Sequence, residues 1–200
     1  RTIGYEPLIR WTRDWTGVIP NVAESWEVND DATEFTFKLR EGMKWSDGEP
    51  FTADDIMFWY EDVLMNEELT PAVNDWVIAG GEPGVVEKID DYTVKFSFMA
   101  PYGALLLKLA SADMLEIVHM PRHYMEQLHP KYNPDAEAEA IEAGFDTWVA
   151  QFEFVNEGGC CGYELDPDLP RIWAWDLETA YGENTTTVRA ERNPYYWKVD

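Results

Sequence analysis

Between Glu34 and Leu64 the apolar pattern changes its period, and no other feature constrains the fold as much. Phe35, Phe37 and Leu39 alternate with Thr36, Lys38 and Arg40, the two-residue period of a half-buried strand. Ile56, Met57, Trp59, Tyr60, Val63 and Leu64 instead recur at helical spacing. Asp47-Gly48 lies between the two runs as a strong turn signal. Thr52-Ala53-Asp54-Asp55 then reads as a capping box, an N-terminal hydroxyl answered by an acid three residues on. Two acids in the first turn also suit the positive end of the helix dipole.

A second strand pair is expected over 85–98. Val85, Glu87 and Ile89 alternate with Val86 and Lys88, Asp90-Asp91 turns the chain, and Val94, Phe96 and Phe98 line one face. Residues 34–40 and 85–98 should share a sheet covered by the 53–65 helix. Short helices are expected from Pro101 through Leu109, from Arg122 to Leu128 behind Pro121, from Asp135 to Ala143 and from Phe145 to Phe154. Gly144 suits a left-handed helix stop. Glu157 to Pro170 reads as loop, and Thr185 to Arg192 as a strand ending at Asn193-Pro194. Hairpins with separated helices argue for an α+β fold with a mixed sheet.

Charge narrows the partners. The 200 residues hold 39 Asp and Glu against 15 Lys and Arg, a formal net charge of −24. Such a chain repels phosphate, so nucleic acid is not an expected partner, and anionic lipid is repelled as well. Ten Trp, ten Tyr and nine Phe need a core, which excludes disorder as the main state. No run reaches the ~18 apolar residues of a spanning helix. The chain opens on Arg1 rather than Met and reads as a mature or trimmed segment.

Several of these pieces together resemble the extracellular solute-binding proteins of ABC importers, family 5, the peptide, nickel and oligosaccharide-binding group. The resemblance is carried by Ala23-Glu24-Ser25-Trp26-Glu27-Val28, by Phe35 through Gly42, and by Trp45-Ser46-Asp47-Gly48-Glu49-Pro50-Phe51-Thr52-Ala53-Asp54-Asp55. Asp91 through Phe96 with Pro101, and Arg192-Asn193-Pro194-Tyr195-Tyr196-Trp197, extend it. It is weak over 130–170.

The resemblance implies a lobe like that of type II periplasmic binding proteins, with an inserted subdomain. Its segments would be 1–22 as the start of the first lobe, 23–116 as the insertion and 117–200 as the return. Family members run to about two or three times this length, beyond one domain, so the second lobe would be missing from this chain. The implied function is capture of a peptide or oligosaccharide outside the cytoplasmic membrane and delivery to a membrane permease. The implied location is periplasmic, or extracellular with a cell-surface anchor in a Gram-positive host. No cofactor is implied. The alternative from another class is a secreted carbohydrate-active enzyme or carbohydrate-binding module.

Candidate ligand contacts are Tyr5, Cys160, Cys161, Trp173 and Trp175. Trp173 and Trp175 flank Ala174 on a segment expected to be extended, so both indoles would face one side as a stacking platform. Core packing is the alternative for any one of the Trp residues. Adjacent Cys160-Cys161 suits a vicinal disulfide in an oxidising compartment, or two free thiols in a loop. His119 and His123 have metal-compatible spacing, but Pro121 between them spoils it, which leaves a surface or capping role and no expected metal site. Pairs of acids invite a glycosidase reading. With 39 acids such pairs arise by chance, and no nucleophile motif accompanies them, so no catalytic residue is expected.

Overall fold

The computed structural model describes residues 6–156, 166–179, 187 and 189–198. The chain divides into two compact units, one of residues 6–42 and 51–118, the other of 1–5, 43–50 and 119–200.

The first unit is built on a four-stranded antiparallel sheet. Its strands are β3 (Ala23–Val28), β4 (Glu34–Leu39), β5 (Val85–Asp90) and β6 (Thr93–Ser97), in the order β3-β4-β6-β5. A short hairpin, β1 (Ile9–Trp11) with β2 (Val18–Pro20), precedes it. The expected period holds on β4, where Phe35, Phe37 and Leu39 are buried. They meet Val94 and Phe96 of β6 through the register Phe35↔Phe96 and Phe37↔Val94. The Phe37 and Phe96 rings pack edge to face, 5.6 Å apart. Each edge strand carries a register irregularity, at Ala23/Ser25 on β3 and at Lys88/Asp90 on β5. Such bulges discourage further strands from adding.

Helix α1 (Ala53–Phe58) packs on β5 and β6 with Ile56 and Phe58 buried. Its capping box forms as expected. Thr52 Oγ1 accepts from the Asp54 N–H at 3.3 Å, and the Asp55 carboxylate accepts from the Thr52 N–H at 2.9 Å. The Ala53 N–H donates to the Asp91 carbonyl at 2.8 Å, tying the helix start to the β5–β6 turn. Lys88 Nζ adds a second tie, reaching Asp54 at 3.0 Å and Asp91 at 2.8 Å.

Beyond Phe58 the structure departs from the expected α-helix, since Trp59–Leu64 is a π-helix. The apolar side of an α-helix and that of one π turn look alike in sequence. Trp59 stacks on Trp76, centroids 6.0 Å apart and planes 16° apart, and Thr70 Oγ1 donates to the Val63 carbonyl at 2.7 Å. The helix expected from Pro101 begins only at α2 (Leu105–Leu109). Tyr102 is held outside it, its N–H donating to Ala32 O and its hydroxyl to Trp76 O, both at 2.7 Å.

The second unit holds α3 (Arg122–Met125), which runs into a 3-10 turn over Glu126–Leu128, then α4 (Ala136–Glu142), α5 (Trp148–Asn156), β7 (Trp175–Leu177) and β8 (Ala190–Arg192). Gly144 ends α4 with φ +93, the left-handed stop its position suggested. β7 and β8 pair antiparallel through Trp175↔Arg192 and Leu177↔Ala190. Of the strand expected over 185–192, Ala190–Arg192 is observed as strand, and residues 185, 186 and 188 lie outside the described residues. Sheets with separate helices make the fold α+β, as expected, but the expected mixed sheet is not found: the strand pairings among the described residues are antiparallel, because neighbouring strands are joined as hairpins or return beside them.

Candidate functional site

The candidate contacts that can be placed lie in the second unit, on the segment Arg171–Leu177. Asn193 fixes this segment from behind. Its Nδ2 donates to the Trp173 carbonyl at 2.8 Å and to the Arg171 carbonyl at 3.3 Å, and its N–H donates to the Ala174 carbonyl at 3.0 Å. One buried residue thus satisfies three carbonyls of the segment that would otherwise be costly to bury.

Trp173 and Trp175 do not form the expected platform. Trp173 is 5% exposed, while Trp175 is 43% exposed. The strand starts only at Trp175, so the two-residue period that would put both indoles on one side does not reach Trp173. Trp173 Nε1–H donates to His119 Nε2 at 3.1 Å, with the rings edge to face and 5.1 Å apart. His119 is therefore a buried packing partner rather than the surface or capping residue expected, and its accepting Nε2 calls for the tautomer protonated at Nδ1. Tyr5, Cys160 and Cys161 lie outside the described residues.

The neighbouring charge is already spent. Arg171 is 3% exposed, and its guanidinium donates to the carbonyls of Leu169 at 2.6 Å and Asp166 at 2.5 Å. Asp176 lies 3.6 Å from it. Arg171 therefore clamps its own loop instead of offering a fork to a ligand carboxylate. Tyr124 O–H donates to Asp166 Oδ2 at 2.7 Å from the other side of that loop. Burial, then the Asp166 carboxylate, pushes the Tyr124 phenol well above its ordinary range, so it stays a neutral donor.

The Asp47-Gly48 turn belongs to the same unit and braces the same loop. Ser46 Oγ accepts from the Arg171 N–H at 3.1 Å, and Asp47 Oδ2 pairs with His123 Nε2 at 2.7 Å. Gly48 has φ +96, and a Cβ there would stand 3.1 Å from the Tyr195 ring. Sequence reasoning gave Ser46, Asp47 and Gly48 no role beyond the turn, and it gave Tyr124, Asp166, Arg171 and Asn193 no part in holding this loop. Asn193-Pro194 was a readable turn signal for one of them. The others depend on contacts across many residues. What the segment can do chemically is present one indole and a set of fixed backbone groups. Among the described residues, no group of three His, Cys, Asp or Glu side chains could hold a metal ion.

Comparison with known proteins bears on what this scaffold serves. The family described as bacterial extracellular solute-binding proteins, family 5, middle region, matches residues 17–147. The periplasmic alpha-galactoside-binding protein of Rhizobium meliloti is 34% identical over 195 residues, 97% of this chain and 25% of that one. The periplasmic oligopeptide-binding protein OppA of Salmonella typhimurium is 28% identical, over 89% of this chain and 28% of that one. A solved oligopeptide-binding protein OppA superposes with a TM-score of 0.84 at 39% identity, covering 97% of this chain and 29% of that one. The periplasmic binding protein MelB of Agrobacterium fabrum, solved with stachyose, superposes with a TM-score of 0.72 at 31% identity, covering 99% and 27%. The chain thus spans about a quarter of the length of the relatives it matches.

Proposed function

The chain belongs to family 5 of the bacterial extracellular solute-binding proteins, and on that footing we propose that it is part of the substrate-binding component of an ABC importer. The family is defined by binding rather than catalysis, so the role is non-enzymatic. The ligand is a peptide or an oligosaccharide, captured in the periplasm or at the outer cell surface and handed to a membrane permease. Residues 1–22 start the first lobe, 23–116 form an insertion and 117–200 return to the lobe. The compact units are cut differently, since 6–22, 43–50 and 117–118 change sides, and the assignment by lobe is the one proposed. A second lobe, supplied by the remainder of a longer protein, closes on the ligand. Closure works as a population shift, because a ligand that touches both lobes binds the closed state more tightly than the open one.

The observation that carries this reading is identity of 34% across nearly the whole chain to an alpha-galactoside-binding protein, supported by the superposition on MelB. The test is calorimetric titration of the full-length protein with stachyose and, in parallel, with a mixed oligopeptide pool. Saturable binding of one of them without turnover is expected. Hydrolysis of either one would overturn the reading.

A further inference from the structure

One peptide bond of this chain invites a rearrangement of its own backbone, and the fold cannot remove the cause. Asp47-Gly48 is the single Asp-Gly pair of the sequence, which has no Asn-Gly pair. In such a pair the glycine amide nitrogen can attack the aspartate Cγ, because the glycine has no side chain to hinder the approach. The N–Cγ bond forms, the amide proton and the carboxyl OH leave as water, and a five-membered succinimide results. Water then opens the ring at either carbonyl. Opening at Cγ restores aspartate, and opening at the backbone carbonyl sends the chain through the side chain as isoaspartate. No reactant other than water takes part.

Neither residue can be exchanged without loss. Gly48 has φ +96, and a Cβ there would meet the Tyr195 ring, so a hindering side chain is barred twice over. Asp47 Oδ1 accepts from the Glu49 N–H at 3.1 Å and so closes the turn. The turn also holds both reacting groups. Gly48 N–H donates to the Trp45 carbonyl at 3.0 Å, and Trp45 N–H donates to the Glu49 carbonyl at 2.8 Å. Asp47 Oδ2 lies 2.7 Å from His123 Nε2. An ionised carboxylate only accepts, so Nε2 carries the proton. His123 belongs to α3, whose start is fixed by the Pro121 carbonyl, which accepts from the N–H groups of Tyr124 at 3.1 Å and Met125 at 2.9 Å. Attack on Cγ requires the carboxyl to swing toward the Gly48 nitrogen. The Glu49 bond lies within the turn, whereas the His123 bond ties the carboxylate to a helix 76 residues away.

We propose that Asp47-Gly48 is a latent isomerisation site and that His123 protects it, by holding the Asp47 carboxylate away from the Gly48 nitrogen. Isomerisation would add a methylene to the backbone of the turn. That would displace Ser46, whose Oγ accepts from the Arg171 N–H at 3.1 Å, and so loosen the brace of the 166–171 loop. The proposal does not depend on the importer reading.

Warm incubation of the full-length protein tests it, followed by digestion and electron-transfer fragmentation of the peptide that carries residue 47, which tells isoaspartate from aspartate. Urea-unfolded protein sets the unprotected rate. Native protein should form isoaspartate at least about tenfold more slowly, since the reaction must wait for the turn to open. His123→Ala should raise the native rate about threefold or more, the weight of one hydrogen bond on that opening. His123→Gln keeps an N–H donor and should stay near the native rate. Near-ultraviolet circular dichroism shows whether each variant is folded. Should His123→Ala unfold, His123→Phe, which keeps a ring without a donor, carries the same expectation. No isoaspartate in the unfolded protein, equal native and unfolded rates, or an unchanged rate in the folded variant without a donor would overturn the proposal. A slower rate in that variant would overturn it too, because the imidazole would then be the acid that protonates the departing oxygen.

Discussion

Trp173 and His119 show how one hydrogen bond can decide a residue's role. The indole N–H is buried, and it donates to a ring nitrogen of His119 3.1 Å away. His119→Ala should therefore cost about 1–3 kcal/mol, the penalty of stranding a buried donor. Urea unfolding checks this, and an unchanged midpoint would mean that water replaces the imidazole. Glu116 makes the opposite case. Burial holds its carboxyl above the ordinary carboxylate range, against the pull of a hydrogen bond from the Trp59 indole. An acid whose folded pKa is raised binds its proton more tightly folded than unfolded. Its contribution is thus most favourable below the ordinary range and is lost as pH rises through the raised value. Glu116→Gln should remove that pH dependence and raise the thermal midpoint at neutral pH. Thermal melts of both proteins on either side of this window check it. Neither role could be read from sequence, because a lone His or Glu gives no sign of its burial.

Elements were legible where the pattern was periodic and closed by a chemical signal. β4, the β5–β6 hairpin and the start of α1 follow from alternation, Asp90-Asp91 and the Thr52–Asp55 box. The π-helix at Trp59–Leu64 was not legible, because its apolar side repeats much as an α-helix does. The delayed start of α2 was hidden for another reason, since Tyr102 is held by distant carbonyls. The capping box allows a direct test. Thr52→Ala should cost about 1 kcal/mol and Thr52→Ser only a fraction of that, by chemical denaturation. At the Asp47-Gly48 turn, Gly48→Ala meets both a left-handed backbone and the Tyr195 ring. It should cost more than the ~1 kcal/mol of an incompatible Gly→Ala change alone. A loss no larger than that would show that the ring gives way easily.

At the scale of the molecule, family membership was readable from runs such as Trp45–Asp55 because that stretch carries turn and cap chemistry together. The paired-indole platform was not. It rested on an assumed extended segment through Trp173 and Trp175, and the structure buries Trp173 while exposing Trp175. The proposed mechanism needs two walls around a ligand and assigns one of them to this chain. If the whole protein holds its ligand at micromolar affinity, loss of one wall should leave about millimolar binding or weaker, a loss of roughly 4 kcal/mol. Native mass spectrometry of the full-length protein and of residues 1–200, each purified from the same cells, measures this with whatever ligand the cells supply. The account predicts a co-purified peptide or oligosaccharide on the full-length protein and none on residues 1–200. The same ligand retained by residues 1–200 alone would contradict capture between two lobes.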